Sequence, residues 1–404
     1  MSLTFNFNSR LHKKTTVILV RHGESISNLE GYYLEDGARE GLTEKGRCSA
    51  YLTGLALKQY NINAIYTNAL KSSQQTAIEI LTALSTKSKL LPQMRQSEAL
   101  REIDLPAWQG LPLDKVREEF PEDYHCWQQR PHEFKMDVSS SPTPDKKFKN
   151  LAVCTEVKQS FFPVLNLYKQ AENFWKTVLS RHRGQTILVV THGATNCALI
   201  STALGLEPNL FHSIQQSNCG ISILQFPSKT HHPGELKALN MTAHLAENLP
   251  QVEEEQQGLR LLFVSASNNN SQQIKQISEQ LQNVSIDFCL SQILDHSQII
   301  SDQILRHHPN VMQFQVFKSD LLQVWHKKIQ ERNQMVSASK NEQKMRTGLV
   351  IVDDLITKHF LSQVLNLSLN QVQNWQLDPG TIHSIYYPFE HPPTIQSLNY
   401  RCYV

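Results

Sequence analysis

The 404-residue sequence has no block of like charges, no closely paired cysteines and no long apolar run. Lys+Arg 39 against Asp+Glu 37 leave a net charge of +2, which argues against nucleic acid or an anionic membrane surface as the main partner. The seven cysteines are scattered, so we expect neither a disulfide framework nor a zinc site, and no cofactor is implied. No run approaches the roughly 18 apolar residues of a membrane span, and no signal-peptide core opens the sequence. We therefore expect a cytoplasmic protein that does not bind membranes.

Two predicted strands end in the same way. Residues 17–20 form an apolar run that leads into Arg21-His22-Gly23, and residues 186–190 form another that leads into Thr191-His192-Gly193. The carboxyl ends of parallel strands meet at one edge of an α/β sheet, which is where ligands bind. An arginine there suits phosphate recognition, and an imidazole can serve as a nucleophile. The two strand ends therefore predict a phosphate site.

Strand-like and helix-like segments alternate between residues 17 and 226, which predicts an α/β three-layer sandwich with a mainly parallel sheet. The predicted strands cover 17–20, 64–66, 186–190 and 221–226, and the predicted helices cover 43–60, 70–84, 112–128, 160–180 and 194–204. The segment 135–150 is rich in Ser, Pro and Lys. We interpret it either as a mobile lid or as an insertion without fixed structure.

A polar stretch, 227–258, predicts a linker between a first domain, 15–226, and a second domain, 259–404. The second half repeats elements of the first in the same order, which favours a duplicated domain; an unrelated α/β domain is the alternative. The matched segments are 19–22 with 263–266, 61–65 with 283–287, and 186–206 with 347–367. In this alignment Asp353 stands at the position of His192, and the Arg-His-Gly and His-Gly motifs are missing. We therefore expect the second copy to lack the phosphate chemistry.

Motifs of the first half resemble the histidine phosphatase family, which includes the phosphoglycerate mutases. The resemblance covers about 15–226, and its motifs occur in the family's order. They are Arg21-His22-Gly23-Glu24-Ser25 with Asn28, the segment 41–46, Leu100-Arg101-Glu102-Ile103 and Thr191-His192-Gly193, supported by Gln75-Thr76-Ala77, Trp108-Gln109-Gly110 and Asn218-Cys219-Gly220. The resemblance implies the phosphoglycerate mutase-like fold for this half. The prediction that residues 259–404 form a degenerate second copy depends on the repeat alone.

The resemblance also implies roles for individual residues. His22 is expected to be the nucleophile that forms a phosphohistidine, and Arg21 and His192 are expected to bind the phosphate. If His192 is protonated, it adds a second charged donor. Asn28 is a candidate amide donor, or else a helix-capping residue. Glu102 is expected to act as general acid and then as general base, unless it forms a surface ion pair with Arg101.

One position departs from the family pattern. Aligning Gln75-Thr76-Ala77 places Ser72 where the family carries a second phosphate-binding arginine. A hydroxyl offers one neutral donor in place of a bidentate cation, a loss on the order of 3 kcal/mol of transition-state stabilisation. The sequence therefore predicts a weakened phosphate site.

These observations favour a phosphomonoester hydrolase whose partner is a small phosphorylated metabolite. A phosphoglycerate mutase-type phosphotransferase and a non-catalytic phospholigand-binding protein are the alternatives. The sequence does not decide whether the second half covers an edge of the first half's sheet or forms a homodimer interface. Histidines outside the motifs, among them His125 and His182, are expected at the surface.

Overall fold

The computed structural model describes residues 14–33, 41–86, 91–138, 159–227, 233–252, 257–267, 270–294, 296–320, 345–373, 375–389 and 391–401. Its strands are β1 Thr15–Arg21, β2 Ile62–Thr67, β3 Gln93–Gln96, β4 Met136–Val138, β5 Gln159–Phe161, β6 Thr186–Thr191, β7 Ile221–Phe226, β8 Glu235–Met241, β9 Leu259–Ser265, β10 Phe288–Gln292, β11 Met312–Val316, β12 Arg346–Val352, β13 Ile382–Tyr387 and β14 Thr394–Tyr400. Its α-helices are α1 Ile26–Leu29, α2 Glu44–Ala56, α3 Lys71–Ser85, α4 Leu113–Glu119, α5 Pro121–Gln129, α6 Pro163–Arg181, α7 Gly193–Leu204, α8 Ser271–Leu281 and α9 Ser297–Ile304, followed by Asp354–Val364 and Leu369–Val372.

One mixed sheet runs through both halves of the chain. Its strand order is β11-β10-β12-β9-β13-β14-β8-β7-β1-β6-β2-β3. β1 is parallel to β6 and antiparallel to β7, and β9 stands in the same relation to β12 and β13. The two halves thus have the same strand order, and they meet where β8 pairs antiparallel with β14, with Leu239 opposite Leu398. We call this junction the seam.

Helices cover both faces of the sheet. Alternate residues of β1 point to opposite faces, as the twofold period of a strand requires. Leu19 packs in the same cluster as residues of α6 and α7, whereas Ile18 packs with residues of α3. In the second half, α8 and α9 pack on one face and the helix Asp354–Val364 packs on the other. The predicted three-layer α/β sandwich is therefore confirmed.

Most first-half elements agree with the sequence prediction to within a few residues, and α7 ends as predicted at Gly205, which has a left-handed φ of 73°. The predicted helix 112–128 is instead two helices, α4 and α5, because Phe120 has non-helical φ and ψ of −128° and 50°. The expected linker 227–258 is wrong in one part, because β8 lies within it and pairs with β7. The strand β3 was also missed. Residues 139–150 of the expected lid, 135–150, lie outside the described residues. The predicted division into two domains stays a prediction.

None of the helices in the described ranges combines the length and apolar character needed to cross a bilayer.

Candidate active site

The structure brings the two predicted histidines together at one edge of the sheet. Arg21, the last residue of β1, lies opposite Thr191, the last residue of β6, because the two strands are parallel and in register. His22 and His192 follow directly, and their ring centroids lie 4.8 Å apart at an interplanar angle of 61°. His192 also precedes α7, so the site lies at the positive end of a 12-residue helix.

His22 is held as a neutral imidazole with a defined tautomer. Its side chain is buried, and Nδ1 donates to the carbonyl oxygen of Gly23 at 2.8 Å, which leaves a lone pair on Nε2. Burial, together with the charge of Arg21, lowers the pKa of His22 to about 3. An unprotonated ring nitrogen is what nucleophilic attack requires.

His192 is fully buried between two oxygen-bearing side chains. Its Nε2 lies 3.3 Å from Ser73 Oγ, and its Nδ1 lies 3.4 Å from Glu102 Oε2. Burial, together with the nearby His22 and Arg21, holds the pKa of His192 well below its ordinary value. The sequence hypothesis of a protonated His192 therefore does not describe the ligand-free site, although a bound phosphate dianion would favour the charged ring.

Glu102 is positioned by hydroxyl groups from the neighbouring strand and helix. Thr191 Oγ1 donates to the carbonyl of Leu100 at 2.6 Å, and Thr195 Oγ1 donates to the carbonyl of Arg101 at 2.9 Å. The guanidinium of Arg101 instead donates to Gln170 Oε1 at 3.1 Å. Arg101 thus points to α6 while the Glu102 carboxylate faces His192, which favours the catalytic interpretation over a surface ion pair.

Arg21 is held by the turn that precedes β7. Its Nη1 donates to the carbonyl of Gln216 at 2.7 Å. Gly193 lies beside it, and a Cβ at that position would be in ordinary van der Waals contact with Arg21 Cδ and Nε, at 3.4 Å. In the same turn, Asn218 Nδ2 donates to the carbonyl of His22 at 2.9 Å and to Asn28 Oδ1 at 3.1 Å.

Asn28 takes part in a capping box at the start of α1. Its Oδ1 accepts from the Ser25 amide at 3.2 Å, while its own amide donates to Ser25 Oγ at 3.3 Å. The capping interpretation is therefore what the structure describes. These side-chain bonds use Oδ1, and phosphate contact through Nδ2 stays a prediction.

Ser72 is fully buried in the first turn of α3. Its carbonyl accepts from Thr76 Oγ1 at 2.7 Å, and Thr76 Oγ1 in turn accepts from the Gly23 amide at 3.0 Å. The hydroxyl beside His192 belongs instead to Ser73, which sequence reasoning missed. Ser73 lies on the buried stripe that also carries Ala77 and Ile80, so its helical spacing indicates that the side chain is buried but not that it contacts His192.

The motif glycines allow two chain segments to touch behind His22. A Cβ on Gly23 would lie 2.6 Å from the carbonyl oxygen of Gly46, and a Cβ on Gly46 would lie 2.1 Å from that of Glu24. The Glu24 carboxylate accepts from Thr43 Oγ1 and Lys45 Nζ, both at 2.8 Å. Burial alone would raise the pKa of Glu24, but these two hydrogen bonds lower it. Glu24 is therefore a structural anchor for α2.

His182 corrects a sequence expectation. It is buried rather than exposed, with Nε2 2.9 Å from Tyr66 Oη and Nδ1 2.6 Å from Gln185 Oε1. His182 directly follows α6, and its ring is buried because it packs against Tyr66 of β2. His125 is exposed, as expected.

At the matching edge of the second half, the residue at the position of His192 is an aspartate that forms an ion pair with Lys318. Asp353 precedes its helix as His192 precedes α7, and its carboxylate accepts from Lys318 Nζ at 3.0 Å and from Gln292 Nε2 at 3.1 Å. Ser265, at the position of Arg21, donates to Asp354 Oδ1 at 2.7 Å. A carboxylate at this position repels a phosphate rather than gripping it.

Comparison with known proteins agrees with the motifs. The pattern of the histidine phosphatase superfamily (branch 1) matches residues 17–144 and 162–241. A probable 2-carboxy-D-arabinitol-1-phosphatase of Arabidopsis thaliana is 34% identical over 210 residues, which are 52% of this chain but 38% of that protein. The chain thus spans well under half the length of this plant relative.

Two bacterial relatives are covered almost completely. Phosphoserine phosphatase 1 of Hydrogenobacter thermophilus is 27% identical over 231 residues, 57% of this chain and 94% of that protein. A 2,3-bisphosphoglycerate-dependent phosphoglycerate mutase of Brucella anthropi is 32% identical over 213 residues, 52% of this chain and 90% of that protein. Relatives of this chain thus include both phosphatases and mutases. On the strength of a match over about half its length, the chain belongs to the histidine phosphatase superfamily, branch 1.

Proposed function

We propose that this protein is a phosphomonoester hydrolase that works through a phosphohistidine at His22. The observation that supports it most directly is the hydrogen bond from His22 Nδ1 to the carbonyl of Gly23, because it makes Nε2 the unprotonated nitrogen of a ring that packs against His192. Arg21 supplies a fixed cation at the same edge, and a dianionic phosphate needs such preorganised charge.

The first step forms the enzyme intermediate. Nε2 of His22 attacks phosphorus in line, the ester P–O bond breaks, and the leaving oxygen takes a proton from the Glu102 carboxyl group. In the second step the Glu102 carboxylate removes a proton from water, and the water oxygen attacks phosphorus. The P–N bond then breaks, inorganic phosphate leaves, and the imidazole regains its lone pair.

The names of the relatives suggest a substrate class. 2-Carboxyarabinitol 1-phosphate, phosphoserine and phosphoglycerate are all small phosphomonoesters that also carry a carboxylate. We therefore propose a phosphorylated carboxylic acid as the substrate.

A phosphoester panel tests the proposal. Wild type should release phosphate from at least one phosphorylated carboxylic acid, and acid-labile labelled phosphate should appear on the protein during turnover. His22→Ala should lose both signals, with the rate falling by at least about a thousandfold. Absence of turnover across the panel would contradict the proposal, and phosphoryl exchange between phosphoglycerates that outpaces hydrolysis would favour a mutase.

Ser72 supports a second candidate, a non-catalytic phospholigand-binding protein. Ser72 stands at the position of the family's second arginine and is fully buried. Phosphate or vanadate that raises Tm without any turnover or phosphoenzyme would favour this alternative, because a ligand that binds only the folded state stabilises it.

A further inference from the structure

We propose that the second half of the chain positions the phosphate-binding arginine of the first half, by holding the turn that grips Arg21. The inference rests on the proposed function of the Arg21 and His22 site. It assigns a role in that reaction to a half whose own matching edge carries the Asp353–Lys318 ion pair.

The contact runs from β14 to the segment 212–218, which we call the clamp turn. The carbonyl of Ile395 accepts from the Gln215 amide at 3.0 Å, and Gln396 Nε2 donates to Gln215 Oε1 at 3.1 Å. Thr394 Oγ1 donates to the carbonyl of His212 at 3.1 Å. Three successive residues of the second half thus bond to the clamp turn.

The next residue of the clamp turn holds Arg21. Gln216 follows Gln215 directly, and its carbonyl accepts from Arg21 Nη1 at 2.7 Å. Cys219, just beyond the turn, donates its amide to the carbonyl of Arg21 at 3.0 Å. The guanidinium is therefore oriented by a main-chain oxygen whose neighbour is fixed by β14.

Asn240 ties the same turn to the seam. It is fully buried in the left-handed conformation, with φ 50°. Its Oδ1 accepts from the Ser217 amide at 2.7 Å, and its Nδ2 donates to Ser217 Oγ at 3.1 Å and to the carbonyl of Gln396 at 3.0 Å. A Cβ on Gly220 would lie 2.3 Å from Asn240 Oδ1, so the close approach depends on that glycine.

Asn399, on the other side of the seam, makes contacts equivalent to those of Asn240 and provides a matched control. Asn399 also has a left-handed φ, 54°, and its Nδ2 donates to the carbonyl of Lys237 at 2.8 Å. Its Oδ1 accepts from the Asp378 amide at 2.8 Å. The turn that Asn399 supports belongs to the second half, where Ser265 replaces the arginine, so loosening it should not affect the phosphate site.

The test compares Gln396→Leu with Asn399→Gly in the full chain. Gln396 is fully buried, and leucine has a similar length but removes the bonds of the Gln396 side chain to Gln215 and to Ser384 Oγ. Glycine adopts the left-handed conformation freely, so Asn399→Gly removes side-chain bonds without backbone strain. Hydrogen–deuterium exchange of the clamp turn and the Kd of orthovanadate are measured for each protein.

We expect faster exchange across 212–218 and a Kd for orthovanadate about threefold to tenfold weaker in Gln396→Leu, the effect of one lost hydrogen bond. Asn399→Gly should change neither. In a cycle with Gln215→Leu, the loss of orthovanadate affinity in the double variant should be smaller than the sum of the two single losses, because both changes remove the bond between Gln396 and Gln215. If Gln396→Leu fails to fold, Thr394→Val removes the milder bond to His212.

Unchanged exchange in Gln396→Leu, or equal losses of orthovanadate affinity in Gln396→Leu and Asn399→Gly, would overturn the positioning role. Faster exchange with an unchanged Kd would overturn it as well. Wild type that binds no orthovanadate would overturn the proposed function instead, since the exchange measurement reports on the clamp turn without any ligand.

Discussion

Glu102 Oε2 lies 3.4 Å from Nδ1 of His192, at the edge of the sheet where β1 and β6 end. The carboxyl group therefore lies beside the imidazole that the proposed function places against the phosphate. The placement depends on Thr191 and Thr195, whose hydroxyls hold the two residues before Glu102. If Glu102 transfers a proton from this position, the rate lost on removing its carboxyl group should depend on how readily the leaving group departs without a proton.

Glu102→Gln should slow hydrolysis of alkyl phosphates by about 10² to 10⁴, because the poor leaving group loses its proton donor. Cleavage of p-nitrophenyl phosphate should fall much less, since nitrophenolate leaves without a proton. Steady-state rates on both substrates measure the difference. Glu98→Gln, an exposed carboxylate nearby, is the control, and equal losses on both substrates in Glu102→Gln would rule out the acid role.

Ser73→Ala should weaken orthovanadate binding about fivefold, because it removes the hydroxyl 3.3 Å from His192 Nε2 and frees the ring to reorient. Titration of orthovanadate against Tm measures the affinity. Ser85→Ala removes an exposed hydroxyl from the end of the same helix and should have no effect. Equal affinity in Ser73→Ala and wild type would show that the ring is fixed by other contacts.

Ser72→Arg should raise kcat/KM by up to about a hundredfold if the position matches the family's second arginine. Ser72→Met adds comparable bulk at this fully buried position without the charge. The two variants therefore separate the gain of a phosphate donor from the disturbance of packing. No gain from arginine, in a protein that melts like Ser72→Met, would mean that the site does not use a second guanidinium.

Stability should fall steeply with acidification below about pH 6.5. Burial lowers the pKa of four imidazoles, to about 3 in His22 and His383 and to about 4 in His212 and His244. Between these values and the ordinary 6.5 the unfolded chain binds more protons than the folded one, so each imidazole reduces the free energy of unfolding as the pH falls.

Urea unfolding at pH 7 and pH 5 measures this slope, which is about 1.4 kcal/mol per pH unit for each such imidazole. His383→Gln should reduce this slope by the contribution of one imidazole. His125→Gln, at an exposed position, should leave the slope unchanged. An unchanged slope in His383→Gln would mean that His383 is accessible to protons in the folded state.

The sheet edge that carries His22 and His192 was the most predictable part of the molecule. Strands β1 and β6 are continuous apolar runs, as strands buried on both faces must be, and the residues that follow them were placed by topology alone. β3 could not be found in the same way, because an edge strand such as Gln93–Gln96 is largely exposed and carries a polar sequence. β8 was missed because its apolar residues follow the polar stretch that reads as a linker.

Contacts between distant segments escaped the sequence. Ser73 and Gln216 act through neighbours that are far away in the chain, His192 and Arg21, and no local pattern distinguishes them from other buried polar residues. Gln216 also contributes through its main-chain oxygen, which every residue possesses. The alignment of Asp353 with His192 could be predicted from the sequence, because a similar strand and helix pattern in each half set the register. In the structure, both residues directly precede their helices.

The pairing of Leu239 with Leu398 means that the first half has no unpaired edge strand on that side. A premature stop codon just after this half would leave β8 with unsatisfied main-chain donors and acceptors, and it would expose Leu239, which is buried in the full chain. Such an edge is a template for pairing with other molecules. In a cell, we expect a truncation of this kind to cause aggregation rather than to yield a smaller enzyme.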